Sequence, residues 1–189
     1  MNTTLPNALE VSGISYAIRT DYRCALDAIV ALNDVELDER EKALCVLCVL
    51  YEDPFAAAAS DMREALERGL WYLNGGEESG GESRKSPRLM DWEQDFPLIV
   101  PPVSRVLGRD VRAPEPLHWW TFLSAYSEIG DCLFAQVVRI RDKLARNKKL
   151  DKDEREWYNR NRRLVDLRQA LSEREQQAVA QWTGELPVR

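Results

Sequence analysis

Hydrophobic positions along the chain change their spacing several times, and each change marks an element. Leu9 and Val11 alternate with Glu10, Ser12-Gly13 follows, and Ile14, Tyr16 and Ile18 alternate on the return. Alternation on both sides of two turn-forming residues predicts a β-hairpin. Its apolar side must lie on helices, because a lone hairpin is barely stable in water. From Thr20, read as an N-cap, helical spacing runs to about Leu32 with Leu26, Ile29, Val30 and Leu32 inward. Asp38 followed by Glu41 reads as a capping box for a helix to Tyr51, whose second half is apolar all round and therefore expected in the core. Asp53-Pro54 gives the next start, a capping carboxylate with proline at the first helical position. That helix continues through Ala56–Ala59 to Leu73, where Asn74-Gly75-Gly76 ends it.

Polar Gly/Ser-rich sequence fills residues 75–87 and predicts a flexible loop. Beyond it, Asp91 with Gln94 offers a cap, but Pro97 and Pro101-Pro102 predict a short or broken helix between Trp92 and Leu107. Leu117–Ile129 and Asp131–Arg146 are helical in spacing. Asp151 and Glu154 form a second capping box, opening a long charged helix to about Leu171. Ser172 and Glu175 are read as capping a last short helix ending near Trp182, before a frayed tail. The fold class expected is mainly α: a bundle of six to eight helices with a small N-terminal β-hairpin. The chain is read as one helical domain, 1–189, with a division into lobes 1–74 and 88–182 joined by the 75–87 loop.

With 189 residues, 44% hydrophobic and 31% charged, the chain has the composition of an ordinary globular protein. Its longest apolar run, Ala43–Tyr51, falls far short of the roughly 20 residues that cross a bilayer, so no membrane role is expected. No basic segment leads into an apolar one at the N-terminus, and four cysteines do not suggest a disulfide scaffold, so a cytoplasmic setting is expected. Charge is uneven. Residues 1–100 hold 9 Lys/Arg against 19 Asp/Glu, whereas residues 101–189 hold 17 against 13. The basic excess is densest over 139–163, with 11 basic and 5 acidic side chains. Such a segment could serve a nucleic-acid-binding regulator, but helical spacing favours a solvated face, or head-to-tail contact between copies.

Few residues suggest covalent chemistry. Cys45 and Cys48 form a CxxC with no second CxxC and no clustered histidines, inside Leu44–Leu50, so they are read as small buried apolar groups, as are Cys24 and Cys132. His118, the single histidine, has no local nucleophile or partner carboxylate, and is read as structural. Acid clusters at Glu77-Glu78 and Asp151/Asp153/Glu154 lack the EF-hand pattern, and Gly75-Gly76 and Gly80-Gly81 lack the Gly-Lys-Ser/Thr of a phosphate loop. No enzyme, metal or cofactor is expected. Adjacent aromatic pairs stand out instead: Trp71-Tyr72, Trp119-Trp120 and Trp157-Tyr158. Neighbours on a helix point about 100° apart. Either one ring of a pair lies at a surface groove as a partner-contact anchor, or a wide buried face, or two different neighbours, takes both rings.

The order of these features resembles a known family. The hairpin leads into Thr20-Asp21-Tyr22-Arg23, and the Trp71-Tyr72-Leu73-Asn74-Gly75-Gly76 helix end precedes an acidic, glycine-rich loop. Asp91-Trp92-Glu93-Gln94-Asp95 and Leu117-His118-Trp119-Trp120-Thr121-Phe122 follow, then a basic Ile140-Arg141 segment and a charged C-terminal helix. Over about residues 9–170 this is similar to the bacteriophage gene-product-fifteen proteins. Pro101-Pro102 departs from it, falling where relatives should have unbroken helix. The resemblance implies a tail assembly chaperone of the host cytoplasm, absent from the mature virion. It would bind the tape measure protein while tail-tube protein polymerises around it, with self-association and without catalytic residues. The alternative roles are a minor structural or head–tail connector component of the virion, or a nucleic-acid-binding regulator.

Overall fold

The computed structural model describes residues 4–77 and 87–168. In order they form β1 (Ala8–Val11), β2 (Ile14–Ala17), α1 (Tyr22–Asn33), α2 (Glu39–Leu50), α3 (Pro54–Leu73), α4 (Trp92–Leu107), α5 (Trp119–Ser127), α6 (Leu133–Ala145), α7 (Lys152–Arg160) and α8 (Arg162–Val165). The mainly helical fold with a small hairpin is therefore the one expected. The two strands pair antiparallel, Leu9 opposite Tyr16 and Val11 opposite Ile14. Ser12 and Gly13 both have positive φ, 51° and 77°, as a tight hairpin turn demands. The turn is tied to α3, where the Glu64 carboxylate accepts from Ser12 N at 2.8 Å. Leu9 and Val11 are buried against α3, but Ile14, expected inward, is half exposed.

Helix starts follow the side chains that can accept from free backbone N–H groups. Asp38/Glu41 and Asp151/Glu154 are complete capping boxes, and Asp53 accepts from Ala56 N just ahead of Pro54. Three starts differ from expectation. Asp21, not Thr20, caps α1, because the Thr20 carbonyl is already taken by Trp119 N at 2.8 Å. The buried line of α1 is Tyr22, Ala25 and Ala28, with Leu26, Ile29 and Leu32 at its margin. The helix expected over Leu117–Ile129 shortens to Trp119–Ser127, since Leu117 N donates to the Asp21 carboxylate and the Leu117 carbonyl accepts from Tyr22 N. The Cys132 sulfur caps α6.

α4 corrects the reading of its prolines, for it runs unbroken over 16 residues. Pro97 and Pro101 are exposed, one helical turn apart, and so are Glu93 and Pro97, whose carbonyls lose their partners. Water can satisfy those carbonyls, while Ile99, Val100, Pro102 and Val103 on the other side hold the helix on the core. α3 carries an unexpected bend at Asp61, which leaves helical geometry (φ −161°) and re-caps the second segment through Glu64 N. The single charged C-terminal helix is likewise interrupted at Asn161, giving α7 and α8. The helix expected near Ser172–Trp182, the end of the charged helix near Leu171 and most of the 75–87 loop lie outside the described residues.

One core cluster gathers residues from β1, α1 to α5 and α6, among them Tyr22, Leu47, Tyr51, Tyr72, Ile99, Trp119 and Phe122. Burial pushes the Tyr51 phenol up to about 12, and its hydroxyl donates to the Ala65 carbonyl at 2.8 Å. Among the described residues no buried side-chain nitrogen or oxygen lacks a hydrogen-bond partner.

Candidate functional site

The aromatic pairs singled out by sequence meet where α3 ends and α5 begins. The last turn of α3 closes with Gly76 N donating to the Trp71 carbonyl at 3.0 Å and Gly75 N to the Tyr72 carbonyl at 3.1 Å, the Schellman pattern. Two indoles complete the cap. Trp119 Nε1 donates to the Leu73 carbonyl and Trp120 Nε1 to the Tyr72 carbonyl, both at 2.9 Å. Gly76 could be nothing else: its φ is +87°, and a Cβ there would meet the Trp120 ring at 2.8 Å. Trp71 meets Trp120 edge-on at 5.5 Å, and Tyr72 stacks on Trp120 at 6.0 Å.

His118 supports this arrangement. Its Nδ1 accepts from Trp120 N at 3.0 Å and so caps α5, while Nε2 lies 2.9 Å from the Pro6 carbonyl. A carbonyl cannot donate, so Nε2 carries the hydrogen and Nδ1 is the acceptor. The residue is thereby a backbone clamp. Trp119 continues inward, stacking on Phe122 at 5.5 Å, and Phe122 stacks on Tyr22 at 4.8 Å. Tyr72 and Trp119 are fully buried, and desolvation raises the Tyr72 phenol. Trp71 and Trp120 are half-buried and are the rings of this group with area left for a partner. The third pair stands apart. Tyr158 donates to Asp166 at 2.9 Å under the Arg162 guanidinium, and no ring contact joins Trp157 or Tyr158 to the other four among the described residues.

A polar hub that sequence reading missed lies beneath α4. Asp95 and Arg141, 0% and 5% exposed, pair through two bonds of 2.9 and 2.6 Å. Arg141 also donates to the carbonyls of Val165 (2.6 Å), Leu164 (2.8 Å) and Leu89 (3.1 Å), so its five N–H groups are all used. Asp95 additionally accepts from Asp91 N at 2.9 Å. The Asp91–Asp95 motif now resolves residue by residue. Asp91 caps α4, Trp92 packs on Trp119, Phe122 and Tyr126, Gln94 brackets Asp166 and Arg168, and Asp95 holds Arg141. By sequence Arg141 falls within the basic excess of 139–163, where a solvated face is expected. Its position among Phe134, Val137 and Ile140 on α6's inward side was the available signal.

With this geometry in view, comparison with known proteins is decisive at one level. The sequence model of the family described as Bacteriophage Gp15 protein matches residues 1–167. The chain belongs to that family. No curated protein and no solved structure matches it.

The surface of this Gp15 family member departs from the usual polar rule in one region. Val35, Leu44, Phe55 and Met62 are 52%, 48%, 82% and 45% exposed, four of nine such large apolar side chains among the described residues, within a 28-residue stretch. Leu44 and Cys48 lie one turn apart on the outer side of α2, opposite Val46, Leu47 and Leu50 in the core. Cys48 is thus exposed and Cys24, Cys45 and Cys132 half-buried, correcting the expectation of buried cysteines. An all-apolar helix half has more apolar side than two neighbours, α1 and α3, can cover. Among the described residues no three His, Cys, Asp or Glu side chains converge as a metal-ligand set, and no helix is long and apolar enough to cross a membrane.

Proposed function

We propose that this phage protein is a non-catalytic tail assembly chaperone. It binds the tape measure protein in the host cytoplasm while tail-tube protein polymerises around it, and leaves before the virion is complete. The observation that carries the reading is the apolar surface of α2 and the first half of α3, on a protein of the Gp15 family. Large apolar side chains exposed so often within one stretch of chain support an interaction role for it. Val35, Leu44 and Met62 are side chains an amphipathic helix can lie against, and the half-buried Trp71 and Trp120 offer a second contact. The acidic N-terminal half keeps such a complex in solution.

The test is co-expression of the full chain with the long helical protein encoded beside it, followed by pull-down from the soluble fraction. Capture is expected, with loss in Leu44→Asp/Met62→Asp and partial loss in Trp71→Ala. Failure to capture that partner, or finding the chain in purified virions, would overturn the proposal; the second result would favour a structural or connector role.

A further inference from the structure

Two surfaces of this chain carry opposite charge, one with an exposed ring and the other with a cleft. The first is the link from α2 to α3. Glu52 and Asp53 are exposed, and Phe55, two residues on, is 82% exposed. Residues 34–53 hold seven acidic side chains, all exposed, against two basic ones. The second is a cleft of about 450 Å³ on α7, lined by Leu150, Lys152, Arg155, Glu156 and Asn159. Glu156 is paired with Arg160, which leaves Lys152 and Arg155 without a carboxylate partner among the described residues. Residues 143–163 hold nine basic side chains against four acidic.

We infer that Phe55 of one copy enters the Leu150 cleft of another, with Glu52 and Asp53 facing Lys152 and Arg155. Phe55 is too exposed to occupy the cleft of its own chain. The smaller cleft, about 310 Å³ between Tyr22, Leu26 and Phe96, is a poorer receptor because its arginines are spent. Arg23 is bound to Asp21 and the Ala113 carbonyl, and Arg112 to Asp110. Knob and cleft are different surfaces, so two copies joined by one such contact keep one Phe55 and one cleft unused. In the proposed contact those unused halves take further copies, giving a row, whereas a reciprocal pairing of both halves would close a dimer. One ring and a few exposed charges make a weak contact that salt weakens further. It needs no second kind of protein, so it holds whether or not the chain binds a tape measure.

Sedimentation velocity of the purified full chain over a range of concentrations tests this directly. The average mass is expected to climb past that of a dimer without a plateau and to fall back at high salt. Phe55→Ser and Arg155→Glu each should weaken association by about thirtyfold or more, the loss of a buried anchor, with unchanged circular dichroism. Mixed together, the two variants should form a complex that stops at two copies, the intact cleft of one holding the intact Phe55 of the other. A wild-type chain that stays monomeric, plateaus as a dimer or gains mass only with nucleic acid present would overturn the inference. So would a mixture of the variants that stays monomeric.

Discussion

Two regions of the molecule invert the ordinary distribution of polarity, in opposite senses. Beneath α4 a carboxylate and a guanidinium lie in the interior; at the start of α3 a phenylalanine stands in water. The interior pair is complete within the chain, with five donors, five acceptor contacts and two chain segments, 89–91 and 164–165, held to α6. Phe55 has no such internal explanation. A buried, fully paired charge shows where the fold locks itself, whereas the exposed ring beside carboxylates is where we propose a contact with another copy.

Breaking the hub gives the largest expected effect. Arg141→Met leaves Asp95 buried without its partner and should cost about 3–5 kcal/mol in denaturant unfolding. The double variant Asp95→Leu/Arg141→Met should recover part of that loss, because no charge is then left unpaired. If the double variant were as unstable as the single, the hub would act through its carbonyl contacts and not through the ion pair.

Smaller effects follow at the aromatic junction. Gly76→Ala forces a side chain into positive φ and against Trp120, for about 2 kcal/mol and a shift in tryptophan emission. His118→Ala removes the α5 cap and should cost about 1 kcal/mol by thermal or denaturant unfolding. Phe55→Ser should change stability by no more than about 0.5 kcal/mol, since the side chain touches little of its own fold. A large loss there would make Phe55 a structural residue and erase the contrast with the hub.

Local signals were readable wherever the physics is local. Ser12-Gly13, the boxes Asp38/Glu41 and Asp151/Glu154, Asp53-Pro54 and Gly75-Gly76 each satisfy backbone groups within a few residues, and each appears as expected. What could not be read depended on distant neighbours. The prolines of α4 are tolerated because two of them face water and the opposite side is packed. Asp21 displaces Thr20 as a cap because strand-like pairing reaches from residue 20 to residue 119. The aromatic pairs were rightly seen as unusual, but sequence could not tell that Trp119 and Trp120 would turn their N–H groups onto the last carbonyls of α3.

The sequence by itself determined the family, the helical class, the hairpin and most helix starts, because periodicity and capping act over one or two turns of chain. Only the tertiary structure decided which charges are buried, which rings are exposed and which carbonyls the indoles and Arg141 reach. Those outcomes are set by contacts between residues 23 or more positions apart, such as Arg141 with Leu164, Asp95 with Arg141 and Leu73 with Trp119. A local pattern carries no record of which distant group will arrive.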